Sequence, residues 1–284
     1  MVIDAHLHIQ PREQFRPEAF ALMTAGRNDT DLIHSLCESP DNLLRHLDGE
    51  GVDRAVLVNY VSPDVIGFTE DINAWVGRYC RGHEDRLVPM GGVHPRLSRD
   101  PVGDLTRAVE QHGIRALKLH PPHQLFRLNA YRDGGNLPQL AGVYARAQEL
   151  GIPVMVHTGT SIFPAARNKY GDPIDLDDVA VDYPDLKIIM AHGGRPLWMD
   201  VCFFLLRRHP NVYMDISGVP PRALPRYFPR LEEIADKAMF GTDWPGPGVP
   251  SIGTNLEEFR SLPMSDRARS AILSGTAEKV FPRS

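Results

Sequence analysis

Val2-Ile3-Asp4-Ala5-His6-Leu7-His8 opens the chain, and its apolar, alternating character reads as a β-strand. The two histidines are separated by one residue. On a strand both therefore point to one face, with their α-carbons roughly 6.5 Å apart. Two imidazoles so placed can reach one ion at about 2.0 to 2.1 Å each. The neighbouring Ala5, Leu7 and Ile9 are expected to face helices instead. An isolated pair of this kind could equally be hydrogen-bonded within an interior, so its meaning depends on what the rest of the chain brings to it.

Seven more short apolar segments follow, at 54–60, 87–93, 116–120, 153–157, 187–192, 211–216 and 238–242. Segments of helical character separate them: 40–50 (Ser39 as cap, Pro40 in the first turn, Gly51 as stop), 70–82, 101–112, 138–150, 174–182, 196–209 and 222–236, with 255–262 and 265–274 after the last strand. Strand then helix, repeated eight times, predicts an α/β chain folded as a (β/α)8 TIM barrel. A doubly wound open sheet lacks support, because no GxGxxG turn follows the first strand. Closure also brings the first and eighth strands together, and both carry residues with chemical potential. About 30 residues, 10–39, separate the first strand from the helix at Pro40; a loop of that length is expected to cover the mouth of a site.

The composition bounds the rest. Of 284 residues, 42% are hydrophobic and 24% charged, enough for a sizeable core, and one barrel domain over 1–284 is the expected organisation. A formal charge of −5 shows no basic excess of the kind nucleic-acid binding needs. No apolar run approaches the roughly 20 residues of a membrane span, and the chain enters its first strand without a signal-like segment, so a cytoplasmic location is expected. Cys37, Cys80 and Cys202 are scattered and outside CxxC spacing, which indicates neither a disulfide framework nor a thiolate zinc site.

Three further strand ends carry candidates. His157 closes Pro153-Val154-Met155-Val156-His157, and His192 follows Ile188-Ile189-Met190-Ala191 and precedes Gly193-Gly194. Both lie at carboxyl ends of strands, where barrel active sites are built. Asp243 follows Phe240-Gly241-Thr242 and precedes Trp244-Pro245; it could simply cap a turn, but barrel closure puts it within reach of the ion bound by the first strand.

Taken as a set, Asp4-Ala5-His6-Leu7-His8, Val156-His157-Thr158-Gly159, Ile189-Met190-Ala191-His192-Gly193-Gly194 and Phe240-Gly241-Thr242-Asp243-Trp244-Pro245 resemble the amidohydrolase superfamily. The resemblance is to the branch of aminocarboxymuconate-semialdehyde decarboxylase and related metal-dependent hydrolases, and it extends to Ile272-Leu273-Ser274-Gly275-Thr276-Ala277. It implies a distorted barrel holding a single divalent metal, zinc or else manganese, through His6, His8, His157 and Asp243. His192 is then a proton-handling or water-orienting residue beside the metal. Binuclear members carry a carboxylated lysine on the fourth strand, a role Lys118 could take, with His157 and His192 on the second ion. With one metal, Lys118 and His120 are expected to bind substrate, or Lys118 to pair with an internal acid such as Asp215.

Arg12, Arg16, Arg127, Arg167, Lys169, Arg195 and Arg222 follow strands on the same rim. Arginine forks suit a carboxylate-bearing substrate, and Arg195, beside the His192-Gly-Gly turn, is the first candidate. Trp244 either lines the pocket or packs under the last helices, and His94 either reaches the pocket or is structural. The expected activity is hydrolysis of a small, carboxylate-bearing lactone, ester or amide by a metal-activated water, with Asp243 and His192 catalytic. The alternative on the same site is non-oxidative decarboxylation of an unsaturated or aromatic acid. A barrel that binds a metabolite without turnover is the third reading. The partner expected is a small molecule, and a homodimer is the assembly common among related barrels.

Overall fold

The computed structural model describes residues 1–132 and 134–283. Eight parallel strands pair in chain order: β1 (Ile3–Leu7), β2 (Arg54–Val58), β3 (Leu87–Gly92), β4 (Ala116–Leu119), β5 (Val154–His157), β6 (Ile188–Ala191), β7 (Val212–Asp215) and β8 (Ala238–Met239). Hydrogen bonds from Ala5 N–H to Phe240 O, Asp243 N–H to His6 O and His8 N–H to Trp244 O join the last strand to the first. The chain is a TIM barrel.

β1 departs from simple alternation. Ile3 and Asp4 pair with Arg54 and Ala55, but Leu7 pairs with Leu57, so β1 carries one extra residue in between. This bulge corrects the expected orientation of Ala5, which packs with Val56, Val58, Met90 and Met155 in the barrel interior. Leu7 and Ile9 do pack outward, with helix residues such as Leu43 and Leu47. The Asp4 carboxylate fills the interrupted ladder. It accepts from His6 N–H (3.0 Å), Thr242 N–H (3.0 Å) and the Thr242 hydroxyl (2.7 Å), and so fastens β1 to the segment after β8. That segment, 240–242, was expected to be strand, and these side-chain bonds stand in for the ladder there.

The helices follow sequence expectation where their caps were readable. Pro40–Glu50 ends on Gly51 in the left-handed region, and Pro101–His112 starts on Asp100, which accepts from Gly103 N–H. Two expectations are corrected. Residues 222–236 form three short helical pieces, Pro221–Ala223, Leu224–Tyr227 and Leu231–Ile234, because Pro229 lacks an N–H and forces Phe228 out of the helical region. Residues 265–274 continue beyond their expected end through a wide turn, Ala271–Gly275, into the helix Thr276–Val280.

The long segment 10–39 is also more ordered than a loop, with helices Pro17–Thr24 and Thr30–Glu38. It is seated on the turn after β2, where Arg16 N–H donates to Ile66 O (2.7 Å). Gly67 permits that approach: a Cβ there would lie 2.2 Å from the Gln14 carbonyl, and its φ is +114°. No helix among the described residues is long and apolar enough to cross a membrane.

Candidate metal centre and active site

A cavity of about 370 Å³ opens at the carboxyl ends of the strands, a size suited to a small molecule. His6, His8, Lys118, His157, His192 and Asp243 reach it from five strands, while Phe15 and Met23 of the 10–39 insert supply apolar cover. Two of these residues, His192 (φ +65°) and Asp243 (φ +68°), hold left-handed backbone conformations, which cost free energy and are tolerated where a side chain must be aimed.

On β1, His8 Nδ1 lies 2.9 Å from Val58 O. A carbonyl only accepts, so Nδ1 carries the hydrogen and the Nε2 lone pair faces outward. That lone pair faces Asp243 Oδ1 at 3.1 Å. His6 repeats the arrangement. Its Nδ1–H donates to Asp215 Oδ2 (2.9 Å), and its Nε2 lies 3.6 Å from Asp243 Oδ1, buried and without a hydrogen-bond partner among the described residues. Two lone pairs and a carboxylate thus converge, with all ligand atoms within 4.8 Å of one another. Such a set is repulsive unless a proton or a cation lies between. The residues present fit a divalent ion.

His157 is not part of that 4.8 Å group. Its ring centroid stands 4.7 Å from His192 and 3.9 Å from His120, and its Nε2 is buried without a partner. A second close group, His6, His192 and Asp215, is accounted for by hydrogen bonds. Asp215 accepts from His6 Nδ1–H, His192 N–H (3.1 Å) and the Ser217 hydroxyl. His192 Nδ1 donates toward Ser217 O (3.2 Å), which leaves its Nε2 as the lone-pair nitrogen. Asp215 is a residue of this cluster that sequence reasoning considered only as a lysine partner. It orients His6 as carboxylates orient metal-bound histidines elsewhere, and an aspartate at the end of a barrel strand was the available signal.

Burial sets the charges. It lowers the pKa of His6 to about 4, helped by the Lys118 charge and opposed by Asp215, and it drives His157 and His192 well below the usual histidine range. Neutral imidazole is the form that ligates. For Asp243, burial would raise the pKa, but the contacts with the His8 and His6 rings and the Arg195 guanidinium outweigh it and hold the carboxylate ionised.

Lys118 is 1% exposed, and its Nζ has no hydrogen-bond partner among the described residues, so the expected pairing with Asp215 is corrected. Burial brings its pKa down to about 8, which keeps it mostly cationic at neutral pH. His120 stacks between His157 (3.9 Å) and His123 (3.5 Å), with Nδ1 buried and unpartnered. Arg195 donates from Nε to Gly218 O (2.9 Å) and from Nη2 to Asp243 Oδ2 (3.2 Å). A Cβ at Gly218 would stand 2.5 Å from Arg195 Nη2, so only glycine lets the guanidinium lie there.

Trp244 does not line the cavity. Its ring packs 5.7 Å from His46 and beneath the Arg27 guanidinium, in the core outside the barrel, so its expected contact with substrate is corrected. His94 is likewise structural: buried, with Nδ1 accepting from Leu97 N–H. Of the rim cations, Arg195 lines the cavity, and Arg127 and Lys169 face a separate surface recess. Two residues on the far wall escaped sequence reasoning. Tyr60 and His123 touch through Tyr60 Oη and His123 Nδ1 (3.3 Å), and His123 Nε2 reaches Ser161 Oγ (2.8 Å). His123 was visible only as the end of Lys118-Leu119-His120-Pro121-Pro122-His123, where two prolines hid the short helix Pro121–Gln124 that turns it inward.

Comparison with known proteins agrees with the barrel fold. A curated relative, 2-keto-4-carboxy-3-hexenedioate hydratase of Sphingobium sp., is 24% identical over 343 residues, covering 100% of this chain and 96% of the relative. Among solved structures, an uncharacterized TIM-barrel protein of Bordetella bronchiseptica superposes with a TM-score of 0.77 at 23% identity, over 99% of this chain and 98% of that one. A dihydroxybenzoic acid decarboxylase of Polaromonas sp. JS666, solved with bound manganese and the inhibitor 2-nitroresorcinol, gives 0.71 at 18%, over 99% and 96%. A family model described as Amidohydrolase matches residues 3–283. The chain belongs to the amidohydrolase family and is an enzyme of that family.

Proposed function

We propose that the chain is a metal-dependent hydrolase of a small, carboxylate-bearing molecule, with a lactone, ester or amide bond as target. The observation that carries this reading is the convergence of the His6 and His8 Nε2 lone pairs on Asp243 Oδ1, a set that a cation completes. His6, His8 and Asp243 would hold one divalent ion, zinc by their N and O donors, with His157 as the fourth ligand. When bound, such an ion acts as a Lewis acid and brings the pKa of a water down to about 7. Asp243, held ionised, accepts a proton at Oδ2, the oxygen that also takes the Arg195 Nη2 hydrogen bond, and His192 Nε2 holds or passes it on. Arg195 has five N–H donors, and those left over from Gly218 and Asp243 can hold a substrate carboxylate. Lys118 Nζ, a buried cation without a partner, is completed by an anionic oxygen of the substrate. The Phe15 and Met23 side chains exclude bulk water from above.

A second reading is lyase chemistry on the same residues, favoured by the hydratase and decarboxylase relatives. In decarboxylation the bond from carbon to carboxylate breaks, carbon dioxide leaves, and the electron pair left on that carbon takes a proton from water, relayed through the His192 Nε2 lone pair. The test is a panel of lactones, esters, amides and unsaturated or aromatic acids offered to zinc- or manganese-loaded protein, reading acid release in a pH-stat against carbon dioxide release. Acid release that EDTA abolishes and metal restores is expected; carbon dioxide without acid release establishes the second reading. Tight carboxylate binding together with unchanged activity in Asp243→Asn would overturn both in favour of a binding protein.

A further inference from the structure

The insert over 10–39 and the turn that carries Asp243 meet through one side chain. Arg27, just past the helix Pro17–Thr24, directs its guanidinium across the gap to residues 244–250. Nε and Nη2 form a bidentate pair with Asp29 (2.7 and 2.6 Å). Nη1 donates to Val249 O (2.8 Å) and Pro245 O (3.2 Å), and Nη2 also donates to Pro250 O (3.4 Å). All five N–H groups are used, and the guanidinium lies over Trp244 at 5.7 Å. The side chain is 10% exposed.

The other end of the gripped turn is the candidate ligand. Asp243 precedes Trp244, Gly246 N–H donates to Asp243 O (2.6 Å), and Val249 N–H donates to Gly246 O (3.2 Å). The carbonyls Arg27 holds therefore belong to the turn that fixes the left-handed conformation of Asp243. The same insert places Phe15 and Met23 against the cavity.

We propose that Arg27 is a positioning residue, a clasp through which the insert holds Asp243 in its ligating conformation, so that cation binding and closure of the insert are coupled. The proposal rests on the metal reading above. Coupling between two sites is reciprocal: an ion that fixes Asp243 must quiet the insert, and releasing the insert must weaken the ion. A merely structural anchor would stabilise the insert without sensing metal. Lysine cannot replace the fork, since an ammonium has three donors and no planar geometry.

Hydrogen exchange read by mass spectrometry, with Zn2+ or Mn2+ affinity from chelator competition, tests this. In the wild-type chain, metal should slow exchange in 15–38 and 245–250 at least about tenfold. In Arg27→Met and Arg27→Lys, insert exchange should become indifferent to metal and affinity should fall about 10- to 100-fold, the size of a typical coupling between two sites, while β-strand amides exchange as before. Asp29→Asn, which spares the carbonyl contacts, should give a smaller loss in the same direction and decides the matter if the Arg27 variants fail to fold. Metal-induced protection and affinity unchanged in these variants would overturn the clasp alone. A wild-type chain that takes up neither ion would overturn the metal reading, and the clasp with it.

Discussion

The two ends of the barrel handle buried polar groups in opposite ways. At the amino end, Arg54, Arg115 and Lys187 sit at or beside the starts of β2, β4 and β6. Their side chains donate to backbone carbonyls of the C-terminal segment, at Phe281 (2.5 Å), Pro282 (2.7 Å) and Lys279 (2.9 Å) respectively. Val280 and Phe281 join the interior cluster beneath them. At the carboxyl end, His6 Nε2, Lys118 Nζ, His120 Nδ1 and His157 Nε2 are buried with no hydrogen-bond partner among the described residues. Buried polar atoms are normally paired because leaving one unpaired costs roughly 1–3 kcal/mol. One end therefore closes itself mainly with its own carbonyls, although Arg54 Nε stays buried without a partner among the described residues, while four such atoms gather at the other, where something the chain binds can complete them. The contrast separates stability from function within one sheet, as barrels generally do.

Three perturbations can break or sharpen that contrast. The largest effect is expected at the carboxyl end: His6→Ala or His157→Ala should abolish metal uptake and activity while circular dichroism and the unfolding transition stay close to wild type. A full metal complement in either variant would refute that ligand assignment.

Next in size is a pH effect on stability. Burial lowers the pKa of His94 to about 4 and of His123 to about 3, both below the unfolded value near 6.5. Below pH 6.5 the unfolded chain binds protons that the folded chain refuses. The stability these neutral histidines confer is therefore complete above about pH 6.5 and is lost as pH falls toward 4, at up to about 1.4 kcal/mol per pH unit for each. Urea titrations of EDTA-treated protein at pH 7 and pH 5 measure this, and His94→Gln should reduce the dependence by that one histidine's share. Equal stability at both values would contradict the neutral burial.

The smallest effect belongs to the amino end, where Arg54→Met strands the Phe281 carbonyl. It should cost about 1–3 kcal/mol and leave metal affinity within experimental error. A loss of metal there would show that the two ends are not independent.

Much of this architecture was legible in the residue pattern. Alternation of strand and helix is local, since periods of two and 3.6 residues follow from backbone geometry, and so the eight strands, the capped helices 40–50 and 101–112, and the placement of His157 and His192 at strand ends could be read directly. The pairing of His6 with His8 on one face is local as well, although the bulge turned Ala5 the other way. Pro229 marks the break in 222–236, which the sequence reading runs through as one helical segment.

What tertiary structure decided are contacts between residues far apart in sequence, which no period encodes. Asp243 meets His8 across 235 positions, Asp215 meets His6 across 209, and Arg27 reaches Val249 across 222. The direction of Trp244, outward onto Arg27 and His46, depends on which neighbour fills the space beside it. The roles of Tyr60 and His123 depend on a short turn that brings two strands' ends into contact. Sequence by itself determined a barrel with imidazoles and a carboxylate at its mouth, because those features follow from neighbouring residues. The folded chain decided which lone pairs lack hydrogens and which cations lack partners, because that depends on every group packed around them.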